Sequence, residues 1–495
     1  MKQIIIFSIF MLVLGSSCNR KPVKSDSPQK TIITGRIIDY SKDQTEITLV
    51  NMDLLVTEKR EVLDIDSTGF FSYSFMNNSP RDIRLKGNSV NFLFLAFPGD
   101  SIHVEFKSRT NDYQNSIAFS GDRHVENKQV THFQHVFNNS SVSHKEIVTA
   151  KAKFDLPQFL HFMDSVQKVS MSLVDSFVKE NATGEIVSGW IKWYASEPYL
   201  YNMSWYPNER DDIQVPQAYY DFQNELLPLN RHQLCATYNI DLFVSEYFHG
   251  TIMQGFLQDN RSLLEKWQKD ESLYKQEELK ADSLVNEAII KYSNGEIIKE
   301  LVFTNYYADK ISSGNLRSYA HFQSFLNQQI STEFLKASLE NYFNTVKERI
   351  ERPLTANQLV NSINSGSIQA TLDTLFNANK GKVLVFDCWG TYCGSCIANF
   401  PKMKNIMEKL NGQDIRFVFF CLDGDSNKQR FQNLIKTYEL DGKHYCLNKK
   451  ENKDLRQMLQ INGIPHYAVF DKKGQLRKNG NFLPGEEELL MLLNE

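Results

Sequence analysis

A chain of 495 residues with an ordinary hydrophobic share of 41% has room for about three domains with packed cores. Its net charge of −4, with no long basic run beyond the N-terminus, leaves no electrostatic footprint for nucleic acid. Seven cysteines are too few for bridges to hold a chain of this length together, so each has to be explained by its own position.

The N-terminus opens on Met1-Lys2, a short positive start, followed by an apolar run from Ile4 to Leu14. That run is too short for an ordinary membrane helix. Gly15-Ser16-Ser17 then places small residues before Cys18. The pattern resembles a bacterial lipoprotein signal of the Bacteroidetes type, with Leu14 one place earlier than the strict form and Gly15 in its stead. The resemblance implies a signal peptide over residues 1–18, lipid on Cys18, and a protein of the cell envelope that faces the periplasm, held to the membrane by its anchor. A plain secretory signal cut near Ser17 is the alternative. Residues 19–29 are polar and contain proline, as a tether would. Arg20, Lys21 and Lys24 give it weak affinity for anionic head groups.

Residues 30–122 read as a β-rich domain. Strands are expected at Thr31–Tyr40, Glu46–Val50, Phe70–Phe75, Asp82–Leu85, Phe92–Phe97 and Ser101–Phe106. Phe71, Tyr73 and Phe75 alternate with Ser72 and Ser74, the period of a half-buried strand. Ser67-Thr68-Gly69 and Pro98-Gly99-Asp100 are turn signals. Short strands at this spacing suggest a small sandwich. No catalytic constellation is visible in it.

Residues 123–352 read as a helical domain. Phe159, Phe162, Met163, Val166, Val169, Leu173 and Phe177 recur at helical spacing, and so do Phe334, Leu335, Leu339, Tyr342 and Val346; helices packed on one another account for such stripes. Tyr194, Tyr199, Tyr201, Trp205 and Tyr206 form an aromatic cluster, either core or recognition surface. His132 and His135 share a helix face, but no third ligand stands nearby, so no metal is assigned.

Residues 353–495, after the Arg352-Pro353 boundary, carry the chemistry. Lys382–Phe386 reads as a buried strand, Ile397–Leu410 as a helix, Ile415–Leu422 as a second strand and Lys428–Tyr438 as a helix. Tyr467–Phe470 and Gly474–Leu476 form a hairpin, and a helix closes the chain. Between the first strand and helix lies Trp389-Gly390-Thr391-Tyr392-Cys393-Gly394-Ser395-Cys396. Two cysteines at this spacing at a helix start suit reversible disulfide exchange, because helix amides favour a thiolate and the second thiol can attack a mixed disulfide made by the first. Half a zinc site is the alternative, but Cys388, Cys421 and Cys446 form no second closely spaced pair.

These residues resemble the thioredoxin family. The acid at Asp387, six residues before Cys393, matches the family's buried proton relay. Trp389 matches its tryptophan, Pro401 its helix-kinking proline, and Gly463-Ile464-Pro465 its cis-proline loop. More narrowly, the last 140 or so residues resemble the membrane-tethered TlpA/ResA-like thiol–disulfide oxidoreductases, and residues 30–122 the β domain that precedes such modules in Bacteroidetes lipoproteins. The resemblance implies a multidomain protein: a β-sandwich-like domain, a helical domain and an α/β thioredoxin fold. It implies Cys393 as exposed nucleophile, Cys396 as resolving thiol and Asp387 as proton acceptor, with Trp389, Tyr392, Ile464 and Pro465 holding the substrate. The redox-active disulfide would need no other cofactor. Partners would be protein dithiols and disulfides and a membrane dithiol donor. Tyr392, Cys388, Ser395 and His466 depart from the common pattern. Uncharged Gly394 and Ser395 favour a reductant, and His466 argues the other way, so an oxidase or isomerase stays open. A membrane-tethered binding module with an accessory thioredoxin domain is the alternative from another class.

Overall fold

The computed structural model describes residues 28–41, 47–53, 57–87, 90–109, 113–209, 213, 215–225, 240–361, 363, 367–423 and 428–495. The signal, nearly all of the tether, Cys18 and Cys235 lie outside the described residues.

Eight strands come first: β1 (Gln29–Ile37), β2 (Thr48–Asp53), β3 (Thr57–Val62), β4 (Phe70–Asn77), β5 (Arg81–Lys86), β6 (Asn91–Ala96), β7 (Ser101–Phe106) and β8 (Ala118–Gly121). They make two four-stranded sheets, ordered β4-β1-β7-β8 and β3-β2-β5-β6. Alternate residues such as Ile33, Phe71 and Val104 from one sheet meet Leu49, Ile83 and Phe94 from the other in a shared core. Two strands go beyond the sequence reading. The Thr57–Val62 run is mostly charged, which suits the sheet edge that β3 occupies. Among the described residues the short β8 pairs only with β7.

The edge strand β6 joins this sandwich to the helices. It is apolar on both faces: Phe92 and Phe94 enter the sandwich, while Leu93 and Leu95 pack on Val130, Phe133 and Trp190. An edge strand leaves a row of backbone groups unpaired. Here the helix His124–Ser140 supplies their partners. The Leu95 N–H donates to Asn127 Oδ1 at 2.7 Å and Asn127 Nδ2 donates to the Leu95 carbonyl at 3.0 Å. Gln134 does the same for Leu93, at 2.9 and 2.8 Å. Trp190 Nε1 donates to Asp82 Oδ2 of β5 at 2.9 Å.

Helices then run to Glu351. The aromatic cluster belongs to their packing: Tyr206 is fully buried and stacks on Phe159 at 3.8 Å, Tyr199 meets Phe222 edge-on, and Tyr194 stacks on Trp190. His132 lies edge-on to Phe177, and His135 hydrogen-bonds Gln114.

The last region is a six-stranded sheet, ordered β14-β13-β10-β11-β12-β9, from β9 (Gln358–Asn361), β10 (Val383–Trp389), β11 (Ile415–Cys421), β12 (Gly442–Cys446), β13 (His466–Phe470) and β14 (Leu476–Gly480). β9 to β12 run parallel, β13 is antiparallel to β10, and β14 is antiparallel to β13. The helices Gly394–Lys409, Lys428–Thr437 and Glu486–Asn494 cover one face, and Ile368–Ala378 and Lys449–Leu459 the other. The stretch between Leu440 and Ile461 forms β12 and a helix, and β14 continues past Leu476, where the sequence reading ended it.

This region is pinned to the preceding helices by reciprocal capping. Arg349, near the end of helix Glu333–Glu351, donates to the carbonyl of Thr437, the last residue of Lys428–Thr437, at 2.9 Å. Lys436 returns a bond to the Ile350 carbonyl at 2.8 Å. Each cation thus sits at the negative end of the other helix.

Asn127→Ala should leave the buried N–H and carbonyl of Leu95 without partners and lower stability by about 2–4 kcal/mol, measured by urea denaturation.

Candidate active site

All seven residues of β10 are buried, as expected of a central strand covered on both faces. One of them is a carboxylate. Asp387 is 2% exposed, and its Oδ1 has no hydrogen-bond partner among the described residues. Alternation along the strand puts it on the face of Val385 and Trp389, beneath the helix Gly394–Lys409. Burial pushes its pKa up to about 8. Tyr467 lies opposite it on β13, and its hydroxyl accepts from Asn399 Nδ2 of the overlying helix at 3.1 Å. Burial, with the charge of Asp387 as a second cause, pushes the Tyr467 phenol up as well.

From Trp389 the chain turns through Gly390-Thr391-Tyr392 into that helix. Asp423, just beyond β11, holds the turn: its carboxylate accepts from the Thr391 N–H at 2.7 Å and from the Thr391 hydroxyl. Gly390 is hemmed in, since a Cβ there would lie 3.0 Å from Ile464 Cδ1 and 3.2 Å from Asp423 Oδ1. Cys393 is the helix N-cap, and its Sγ accepts the Cys396 N–H at 3.1 Å. Amides at a helix N-terminus lower the energy of negative charge on that sulfur. Ser395 Oγ is 3.5 Å from the same sulfur.

Cys393 and Cys396 are joined in a disulfide. The sequence reading takes Cys393 as exposed; it is 7% exposed, against 1% for Cys396, and the surface above it belongs to Tyr392, Gly394 and Ser395. Tyr392 projects with 65% of its surface free. Trp389, expected to hold substrate, is instead fully buried, edge-on to Phe400 and stacked on Phe431, so it supports the turn from below. Pro401 lies inside the helix just after Phe400. The Ile464–Pro465 bond is cis and leads directly into β13, whose first residue pairs with Cys388. Thus Asp387, Trp389, Tyr392, Cys393, Cys396, Ile464 and Pro465 gather at one end of the sheet. Cys18 lies outside the described residues.

The expectation for His466 also needs correction. His466 does not face the dithiol. It pairs with Cys388, on the opposite face from Asp387 and Trp389, and its Nε2 hydrogen-bonds Asn479 Oδ1 at 2.8 Å. Its charge therefore gives no argument about the redox pair. Cys388 and Cys421 are fully buried, and burial pushes both thiols well up, away from reactivity. Asp423, Tyr467 and Asn399 escaped the sequence reading. The position of Asp423 was open to inference, because sites collect beyond the carboxyl ends of parallel strands.

Among the described residues no group of three or more His, Cys, Asp or Glu could hold a metal ion, and no helix is long and apolar enough to cross a membrane. A cavity of about 640 Å³ opens at the far end of the sheet, near Ile415 and Gly442, away from the disulfide.

A family model described as thioredoxin-like matches residues 381–476. A search of the curated proteins gives no match. Solved structures similar to this region include a candidate thiol–disulfide oxidoreductase from Bacteroides vulgatus, 26% identical over 23% of this chain and 72% of that one, with a TM-score of 0.20. The thioredoxin domain of a thiol–disulfide oxidoreductase from the same organism is 19% identical over 24% and 81%, with a TM-score of 0.21. StoA from Bacillus subtilis is 18% identical over 23% and 83%, with a TM-score of 0.20. Residues 381–476, with the Cys393–Cys396 disulfide at the start of their first helix, are a thioredoxin-like domain.

Proposed function

We propose that this protein is a thiol–disulfide oxidoreductase of the TlpA/ResA type, tethered to an envelope membrane through lipid on Cys18, that reduces disulfides in proteins outside the cytosol. The observation that carries this reading is the redox pair at a helix N-terminus above a buried carboxylate whose Oδ1 lacks a partner among the described residues.

The reduced pair starts the reaction. The Cys393 thiolate attacks one sulfur of the substrate disulfide, forming a mixed disulfide and expelling the other sulfur as a thiolate. Asp387, ionised above its raised pKa, takes the proton of the Cys396 thiol, directly or through water. The Cys396 thiolate then attacks Cys393 Sγ, releases the second substrate thiol and restores the Cys393–Cys396 disulfide. Two electrons pass from the pair to the substrate, which leaves as two thiols. A membrane dithiol donor returns two electrons to the enzyme. The cysteine pair is itself the redox unit, so the cycle uses no organic cofactor or metal. With His466 turned away and Gly394 and Ser395 uncharged, nothing between the cysteines adds positive charge to the Cys393 thiolate, which supports a reducing couple.

In an insulin reduction assay with dithiothreitol, Cys393→Ser should lose turnover and Cys396→Ser should accumulate mixed disulfides on non-reducing gels. Full activity in Cys393→Ser would overturn the mechanism. Asp387→Asn should slow turnover at pH 7 by roughly one to two orders of magnitude, with the resolving step most affected.

Asp387 also couples stability to pH. Its folded pKa, about 8, lies above the ordinary aspartate value of 3.8, so its contribution is fully present below that lower value. Stability is lost as pH rises from about 4 through 8, because the unfolded chain ionises this group first. Asp387→Asn should therefore raise the melting temperature at pH 7–8, and the gain should shrink toward pH 4.

A further inference from the structure

Among the described residues the two most exposed large apolar side chains are Phe482, at 83%, and Tyr392, at 65%. Both stand at the dithiol end of the last sheet. Tyr392 directly precedes Cys393. Phe482 lies two residues beyond β14, where Gly480 pairs with Tyr467, close to the cis Ile464–Pro465 bond. The neighbouring Asn481 is 3.5 Å from the Cβ position of Gly463, and Leu483 packs on the core that holds Cys393 and Cys396. Asn481 against Gly463 on one side and the partly buried Leu483 on the other thus hold a loop that presents one phenylalanine to solvent.

An aromatic ring left in water on an anchored loop contributes little to the fold, and such residues are enriched where another chain docks. Cys393 is only 7% exposed, so a substrate has to approach it closely at the end of the sheet where both rings stand. A small disulfide offers little beyond its two sulfurs, whereas a polypeptide carries chain on both sides of its cysteine across that end of the sheet.

We infer that Phe482 is a specificity-determining residue. With Tyr392 it forms two aromatic walls for an extended polypeptide that carries apolar side chains beside its disulfide. The inference rests on the oxidoreductase reading and names its substrate class.

The test compares kcat/KM for insulin with that for 5,5′-dithiobis(2-nitrobenzoate) in the chain from residue 28 to residue 495. Phe482→Ala should lower the insulin-to-small-disulfide ratio about tenfold, mainly through the KM for insulin, and Phe482→Trp should restore it. Met76→Ala, at another exposed apolar position, on β4, should leave the ratio as it is. An unchanged ratio in Phe482→Ala, or an equal fall with both substrates, would overturn the inference. A wild-type chain that reduces neither substrate would overturn the oxidoreductase reading itself, which separates the two failures.

Discussion

The site depends on one carboxylate placed where a charge is costly. Asp387 stands in a strand whose other residues are buried and apolar or aromatic, apart from the thiol of Cys388, and the helix that starts with the redox pair closes over it. Desolvation keeps its proton on to about pH 8. A carboxyl in that range can receive a proton from a thiol and give it back near neutrality, which a solvated aspartate cannot do. The same burial costs stability, so the arrangement has the character of a functional site rather than of a stabilising contact.

The geometry around it is held from three directions. Asp423 fixes the turn before Cys393 through Thr391. Asn399 ties the dithiol helix to Tyr467, across from Asp387. Trp389 fills the space below, between Phe400 and Phe431. The helix Lys428–Thr437, which carries Phe431, is in turn fixed to the helical domain by Arg349 and Lys436. That domain therefore supports the redox region from the side, and the end of the sheet with Tyr392 and Phe482 stays open to solvent.

Much of this arrangement was legible in the sequence because it is local. The cysteine spacing, the apolar strand before it, Asp387 and Pro465 all lie in short segments with distinctive chemistry. What stayed hidden depends on partners far along the chain. Asp423 acts on Thr391, and Asn127 on Leu95, across gaps that no periodicity reports. The charged β3 and the four-residue β9 lack an apolar alternation, since both lie at sheet edges. His466 was misjudged for a simple reason of parity. One residue past Pro465, the pleat turns its side chain to the other face, where it meets Asn479 instead of the dithiol.

The most direct test is a redox titration of residues 28–495 against defined thiol buffers, following the Cys393–Cys396 bond by mass spectrometry. A reversible two-electron couple below about −220 mV is the result this account predicts. A couple near about −120 to −180 mV would contradict the reducing role, and a pair that never cycles would contradict the oxidoreductase reading altogether.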